Sequence, residues 1–182
     1  MPTRSLRALS TMLLAASIVA TAGCAQSTPQ ARPASAAPTS KKPSDPAQMI
    51  CAEEAQKDIA TAIGVEPSQP VTPNWSGNVY SCRYVYPSGV IVLSVKELAD
   101  TAAATAYFNA RERESTGHTS LQDLGEAAFS TRDSSVVTRK DNLVLDVDVH
   151  AMPQSFGRPD RPRDFGAYAI ASAILKCWIG VH

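Results

Sequence analysis

Three polar side chains stand at alternate positions near residue 150: Asp146, Asp148 and His150. Residues two apart in a strand project from the same face, so two carboxylates and an imidazole would share one surface. Such a set can contact a polar ligand, hold a divalent ion, or place acid and base groups beside a substrate. The same alternation is what any solvated sheet face displays. A second set follows closely. Arg158, Arg161 and Arg163 surround Pro159, Asp160 and Pro162. Guanidinium forks dock phosphate and carboxylate groups, although the mixed charge equally suits a solvated loop. Asp146, Asp148, His150, Arg158 and Arg161 are therefore the candidate ligand contacts. The chain offers little other chemistry. His118 and His182 lie far from His150 in sequence, and there is no His-Glu-x-x-His, Cys-x-x-Cys, Gly-x-Ser-x-Gly or glycine-rich phosphate loop. No catalytic set, no metal site and no cofactor is expected on these grounds.

The elements that would position these residues can be read from periodicity. Asp45-Pro46 opens a helix, with Asp as cap and Pro at the first helical position; Cys51, Ala55, Ile59 and Ala62 mark its apolar face, and Gly64 ends it. Residues 65–77, with Pro67, Pro70, Pro73 and Gly77, read as loop. Val79–Tyr86 and Val90–Val95 read as a hairpin about Pro87-Ser88-Gly89. Tyr80, Cys82, Tyr84 and Tyr86 share strand parity, so a disulfide at Cys82 would turn the tyrosines toward the first helix as well; with Trp75 they form either a core wall or the flank of a groove. A second helix covers about 98–113, where Ala99, Ala103, Ala106 and Ala110 recur at helical spacing and suggest close approach to a sheet. Residues 134–138 and 143–149 form a second hairpin around Arg139-Lys140-Asp141-Asn142. In its second strand Leu143, Leu145, Val147 and Val149 face one way, and Val144, Asp146, Asp148 and His150 the other. The 152–162 segment reads as a loop. A last helix, about 163–177, carries an apolar stripe of Ala167, Ile170, Ala171, Ile174, Leu175 and Trp178. The order α-β-β-α-β-β(-β)-α predicts an α+β fold: a single antiparallel sheet packed by helices on its dry face.

The N-terminal quarter speaks of address. Arg4 and Arg7 precede an apolar run from Ala8 to Ala22, the layout of a secretory signal. The run is short for a membrane span, which needs about 20 apolar residues. Val19-Ala20-Thr21-Ala22-Gly23-Cys24 resembles a bacterial lipobox, with Thr21 in place of the usual Leu. The resemblance implies a signal peptide over 1–23 and diacylglycerol and palmitate-type acylation at Cys24. Residues 24–48, built from Ala, Pro, Ser, Thr and Gln, read as a flexible tether, and 49–182 as a single α+β domain. Removing the signal leaves 15 basic against 17 acidic side chains, a formal charge of −2, with no basic stripe for nucleic acid. The expected partners are the membrane, through the lipid, and an envelope protein or wall component.

Outside the cytoplasm disulfides persist. With Cys24 acylated, Cys51, Cys82 and Cys177 allow three single pairings. Cys51–Cys82 is favoured because it staples the first helix to the first strand; in the chain-entropy picture it stabilises by ~4 kcal/mol. Cys177 then stands unpaired beside Trp178.

Cys51 in an early helix, Ser81-Cys82-Arg83-Tyr84, Asp123-Leu124-Gly125-Glu126-Ala127-Ala128-Phe129 before a Val-rich hairpin, and the alanine-rich final helix together resemble the small secreted lipoproteins of mycobacteria and related actinobacteria, and some extracytoplasmic sensor-like domains. The likeness spans most of 49–179. It implies a lipid-anchored envelope protein but carries across no active residue. With no catalytic constellation visible, the expectation is a non-enzymatic binder of a small ligand, wall component or protein. The alternatives are an envelope hydrolase using Asp146, Asp148 or His150 with the 152–162 loop, and a structural accessory of an envelope complex.

Overall fold

The computed structural model describes residues 42–179; residues 1–41, which include Cys24 and most of the expected tether, and residues 180–182, which include His182, lie outside that range. Seven antiparallel strands make one sheet: β1 (Thr72–Ser76), β2 (Val79–Tyr86), β3 (Gly89–Glu97), β4 (Thr119–Leu121), β5 (Ala127–Ser130), β6 (Val136–Lys140) and β7 (Leu143–Asp148). They lie in the order β1-β2-β3-β7-β6-β5-β4. After β3 the chain crosses through helix α3 (Thr101–Glu114) to the far edge, then meanders back until β7 closes against β3. The last strand to pair is thus the central one, and the candidate residues at its end sit mid-sheet rather than at an edge.

The strand alternation read from the sequence sorts side chains onto two covered faces. Cys82, Tyr84, Ile91, Leu93, Val95, Leu145, Val147 and Val149 pack with Ala55, Ile59 and Ile63 of α2 (Glu53–Ile63). The whole predicted stripe of α4 (Arg163–Ile179), from Ala167 to Trp178, joins the same core. On the opposite face Phe129, Val137 and Val144 pack with Ala104 and Phe108 of α3. The sheet is therefore flanked on both sides, not packed on one dry face alone. Helix α3 also seats itself differently from its alanine pattern. Ala99 and Ala106 are exposed, while Ala104 and Phe108 are buried. Alanine fits either side of a helix at little cost, so one phenylalanine's larger apolar surface sets which face docks.

The first helix is broken. Ser44, rather than Asp45, caps α1 (Asp45–Gln48), accepting from Ala47 N, and its own N–H and hydroxyl donate to Glu97 Oε1 at 2.7 and 2.6 Å. Contacts with the sheet thus reach back into the segment read as tether. A single 3₁₀ turn (Met49–Cys51) follows, and extended backbone at Ala52 (φ −64°, ψ 154°) separates it from α2. The break turns Cys51 onto β2, where it is disulfide-bonded to Cys82 with Cα atoms 5.6 Å apart. Tyr84 clasps the same turn, its hydroxyl donating to Ile50 O at 2.5 Å.

Two segments read as loop contain strand. Residues 72–76 form β1 despite Pro73, because an edge strand can leave a proline on its unpaired side. Within 152–162, Ser155–Phe156 (β8) and Arg161–Pro162 (β9) make a short hairpin. That loop is pinned to the end of α2. Gly64 ends α2 in left-handed backbone (φ 70°), and a Cβ there would lie 2.0 Å from Arg158 O. Arg158 N in turn donates to Ile63 O at 2.7 Å. Among the described residues no helix is long and apolar enough to cross a membrane.

Candidate functional site

The antiparallel register of β6 and β7 builds the site. Val136 pairs with Val147, so the turn entering β6 lies against the chain leaving β7. Asp133 lies in that turn, between β5 and β6. The turn is held by its own polar groups. Ser134 adopts left-handed backbone (φ 69°), Thr131 N donates to Ser135 O at 2.8 Å, and Ser135 N donates to Thr131 Oγ1 at 3.1 Å. Ser135 Oγ then bridges to β7, accepting from Val149 N at 3.2 Å and donating to Asp148 Oδ1 at 3.4 Å. Asp133, Asp148 and His150 each offer one ligating atom, and the three atoms lie within 4.8 Å of one another.

Asp148 and His150 form a defined pair. Nδ1 of His150 is 2.6 Å from Asp148 Oδ1, which also accepts the His150 backbone N–H at 2.9 Å. An ionised carboxylate only accepts, so Nδ1 carries the proton, and the neutral imidazole presents its Nε2 lone pair outward. Nε2 has no hydrogen-bond partner among the described residues, and the side chain is 62% exposed. The Asp148 hydrogen bond and charge, with a smaller push from Asp133, raise the His150 pKa; slight burial and Arg163 oppose this. Partial burial acts to raise the Asp133 carboxyl, but hydrogen bonds led by the Thr131 hydroxyl and the Ser135 backbone hold it below its ordinary value. These are the donor types of a three-ligand zinc site with solvent completing the shell, and equally those of an acid–base pair with a flanking carboxylate.

The cluster borders a cleft. An open cavity of about 600 Å³ lies between the C-terminal end of α3 (Arg111, Glu114, Ser115, Thr116), the turn at Thr131, Arg132 and Asp133, and Arg163 at the start of α4. Asp133 belongs to both the cluster and the cleft wall. Arg163 links them as well, its Nη1 donating to His150 O at 3.2 Å and Met152 O at 2.9 Å.

The structure separates the residues that the sequence grouped. Asp146 shares the face of Asp148 and His150 but turns to α3, where its Oδ2 accepts from Arg111 Nη2 at 3.0 Å. Burial raises its carboxyl pKa, with Arg111 opposing. Arg161 stacks over the Phe165 ring, 4.7 Å from its centroid, and Arg158 is tied to the end of α2 through its backbone. Neither lines the cleft; of that arginine group only Arg163 does. Cys82, Tyr84 and Tyr86 are buried in the larger core, Tyr80 packs against it, and Trp75 lies half-buried on β1. His118 meets the ring of Phe129 edge-to-face. Asp133 was absent from the sequence candidates, because it lies in the turn between β5 and β6 and meets the end of β7 only in the folded chain.

Comparison with protein-family models, curated proteins and solved structures yields no match. The geometry itself corrects one expectation. A non-enzymatic protein was inferred because no catalytic constellation was visible in the sequence. Asp133, Asp148 and His150 converge from two segments into a cluster resembling a catalytic or metal-binding site, which argues against a strictly non-enzymatic reading.

Proposed function

We propose that the protein is a hydrolase of the cell envelope, anchored by lipid on Cys24 and working on the outer side of the membrane. The observation that carries this reading is the Asp148–His150 pair, whose Nε2 has no hydrogen-bond partner among the described residues and which clusters with Asp133 on the wall of a cleft. In the proposed reaction Nε2 removes a proton from water as the water oxygen bonds to the electrophilic centre of the substrate. The bond to the leaving group breaks, and the leaving group takes the proton back from Nε2–H. Asp148 holds the reactive tautomer and stabilises the imidazolium that forms between the two transfers. Asp133, held ionised, adds to that stabilisation.

The lipobox-like segment, the likeness to small actinobacterial lipoproteins and the Cys51–Cys82 disulfide support the extracytoplasmic address. The test has two arms. Purified protein is assayed against chromogenic carboxylic, phosphoric and glycosidic esters beside His150→Ala and Asp148→Asn variants of unchanged circular dichroism. Turnover that both variants abolish supports the reading, and no turnover above the variants on any substrate refutes it. Mass spectrometry of protein from its native membrane should show a mature chain beginning at an acylated Cys24; a retained signal would refute the anchor.

A further inference from the structure

We propose that the cleft recognises a phosphate ester, with Arg132 and Arg163 holding the phosphoryl oxygens; as a statement of substrate class this rests on the hydrolytic reading, while the binding itself does not. Three arginines line the cavity, and their partners differ. Arg111 is spent on Asp146. Arg132 makes no hydrogen bond or ion pair among the described residues and stands exposed on the wall. Arg163 is fixed by the His150 and Met152 carbonyls, which orient a guanidinium without neutralising it, and its buried Nε lacks any partner. Two guanidiniums without an ion-pair partner, one exposed and one held by backbone carbonyls, thus line one cavity.

The acidic groups on the wall are Glu114 and Asp133. Asp133 is already engaged by Thr131 and lies toward His150. Ser115 and Thr116 add hydroxyl donors. A tetrahedral dianion with three free oxygens can use two forks and the hydroxyls together, whereas a carboxylate has only two oxygens and one charge. The volume falls in the range of small-ligand sites, roughly 300–1,000 Å³.

Arg163 also fixes where the reaction would occur, because the guanidinium that holds the phosphoryl group is bonded to the backbone of the base. Water oxygen bonds to phosphorus and the ester P–O bond breaks. The water proton passes to His150 Nε2 and on to the leaving alkoxide, so that alcohol and inorganic phosphate are released.

The test uses nuclear magnetic resonance titration at low salt. Inorganic phosphate and phenyl phosphate should give saturable shifts at the Ser115, Thr116 and Arg132 amides and at Arg163 Nε, and benzoate much smaller ones. Arg132 has no internal partner to lose. Arg132→Ala should therefore weaken phosphate binding about tenfold or more, the effect of one charged hydrogen bond, and Arg132→Lys should restore part of it. A second arm offers the same monoester on phosphatidate vesicles, against phosphatidylcholine vesicles, to the Cys24→Ala protein. Binding there but not to phenyl phosphate assigns a lipid headgroup, and the reverse assigns a soluble ester.

No saturable shift at the cleft and no phosphatidate binding overturns the proposal, as does phosphate binding indifferent to Arg132→Ala. Phosphate bound in the cleft without hydrolysis leaves this site standing and removes the hydrolytic reading. Hydrolysis of other esters, lost in His150→Ala but without phosphate binding, does the opposite.

Discussion

Phe108→Ala tests how α3 is seated, and with it one wall of the cleft. Only Ala104 and Phe108 of that helix are buried. Phe108 is 3% exposed and meets Phe129 edge-on, ring centroids 5.3 Å apart at 63°. Truncating a buried phenylalanine costs about 3–5 kcal/mol, including the cavity left behind; the edge-to-face contact accounts for ~0.5–1.5 kcal/mol of that. A domain of this size has about 5–15 kcal/mol in all, so the variant should fold with a clearly lower urea midpoint, read by far-ultraviolet circular dichroism on disulfide-intact protein. Amide exchange in 101–114 should accelerate more than in β2 or α4, because the other face keeps its core. Ala106→Glu is the control. Ala106 points to solvent, so its replacement should stay within about 0.5 kcal/mol of the parent. The reasoning fails if Phe108→Ala costs less than about 1 kcal/mol, or if Ala106→Glu is the more damaging change. Either result would dock the helix by the alanine face that its spacing suggested. Arg111, Glu114 and Ser115 ride on the last turns of α3, so ligand binding in the cleft should weaken with Phe108→Ala and hold in Ala106→Glu.

The Cys51–Cys82 bond closes a separation of 31 residues, so Cys82→Ser, or reduction, should cost ~4 kcal/mol on the chain-entropy account, measured by urea unfolding with and without reductant. His150 should titrate above the ordinary histidine value in nuclear magnetic resonance, and Asp148→Asn should lower it. Because the folded pKa is raised, the stability from this pair is fully present below the unfolded value of 6.5 and is lost as pH rises through the folded value; an unshifted His150 would dissolve the pair. Burial, and then Asp58 Oδ2 3.4 Å from the sulfur, push the Cys177 thiol up to about 11 from 9.0. Near neutral pH that leaves about a hundredfold less thiolate than an ordinary cysteine has, so iodoacetamide should label it slowly and Asp58→Asn should speed labelling; rapid labelling of the parent would contradict the assignment.

What could be read from the sequence, and what could not, follows from the range of the forces involved. The stripe of α4 was legible because six large or small apolar residues recur on one side and nothing competes. The hairpins were legible because alternation in 143–149 is strict, and the Cys51–Cys82 pairing because few thiols remain once Cys24 is set aside. Helix α3 was misjudged because alanines mark a face without the area to fix it. The edge strand β1 was hidden by Pro73, which an edge position tolerates. The site was half visible for a different reason. Asp148 and His150 are neighbours at the end of one strand, whereas Asp133 reaches them from the turn between β5 and β6. Asp146, equal to them in spacing, is drawn off by an arginine on a helix that begins 45 residues earlier. Face-sharing on a strand therefore selects candidates, and pairing across strands decides among them.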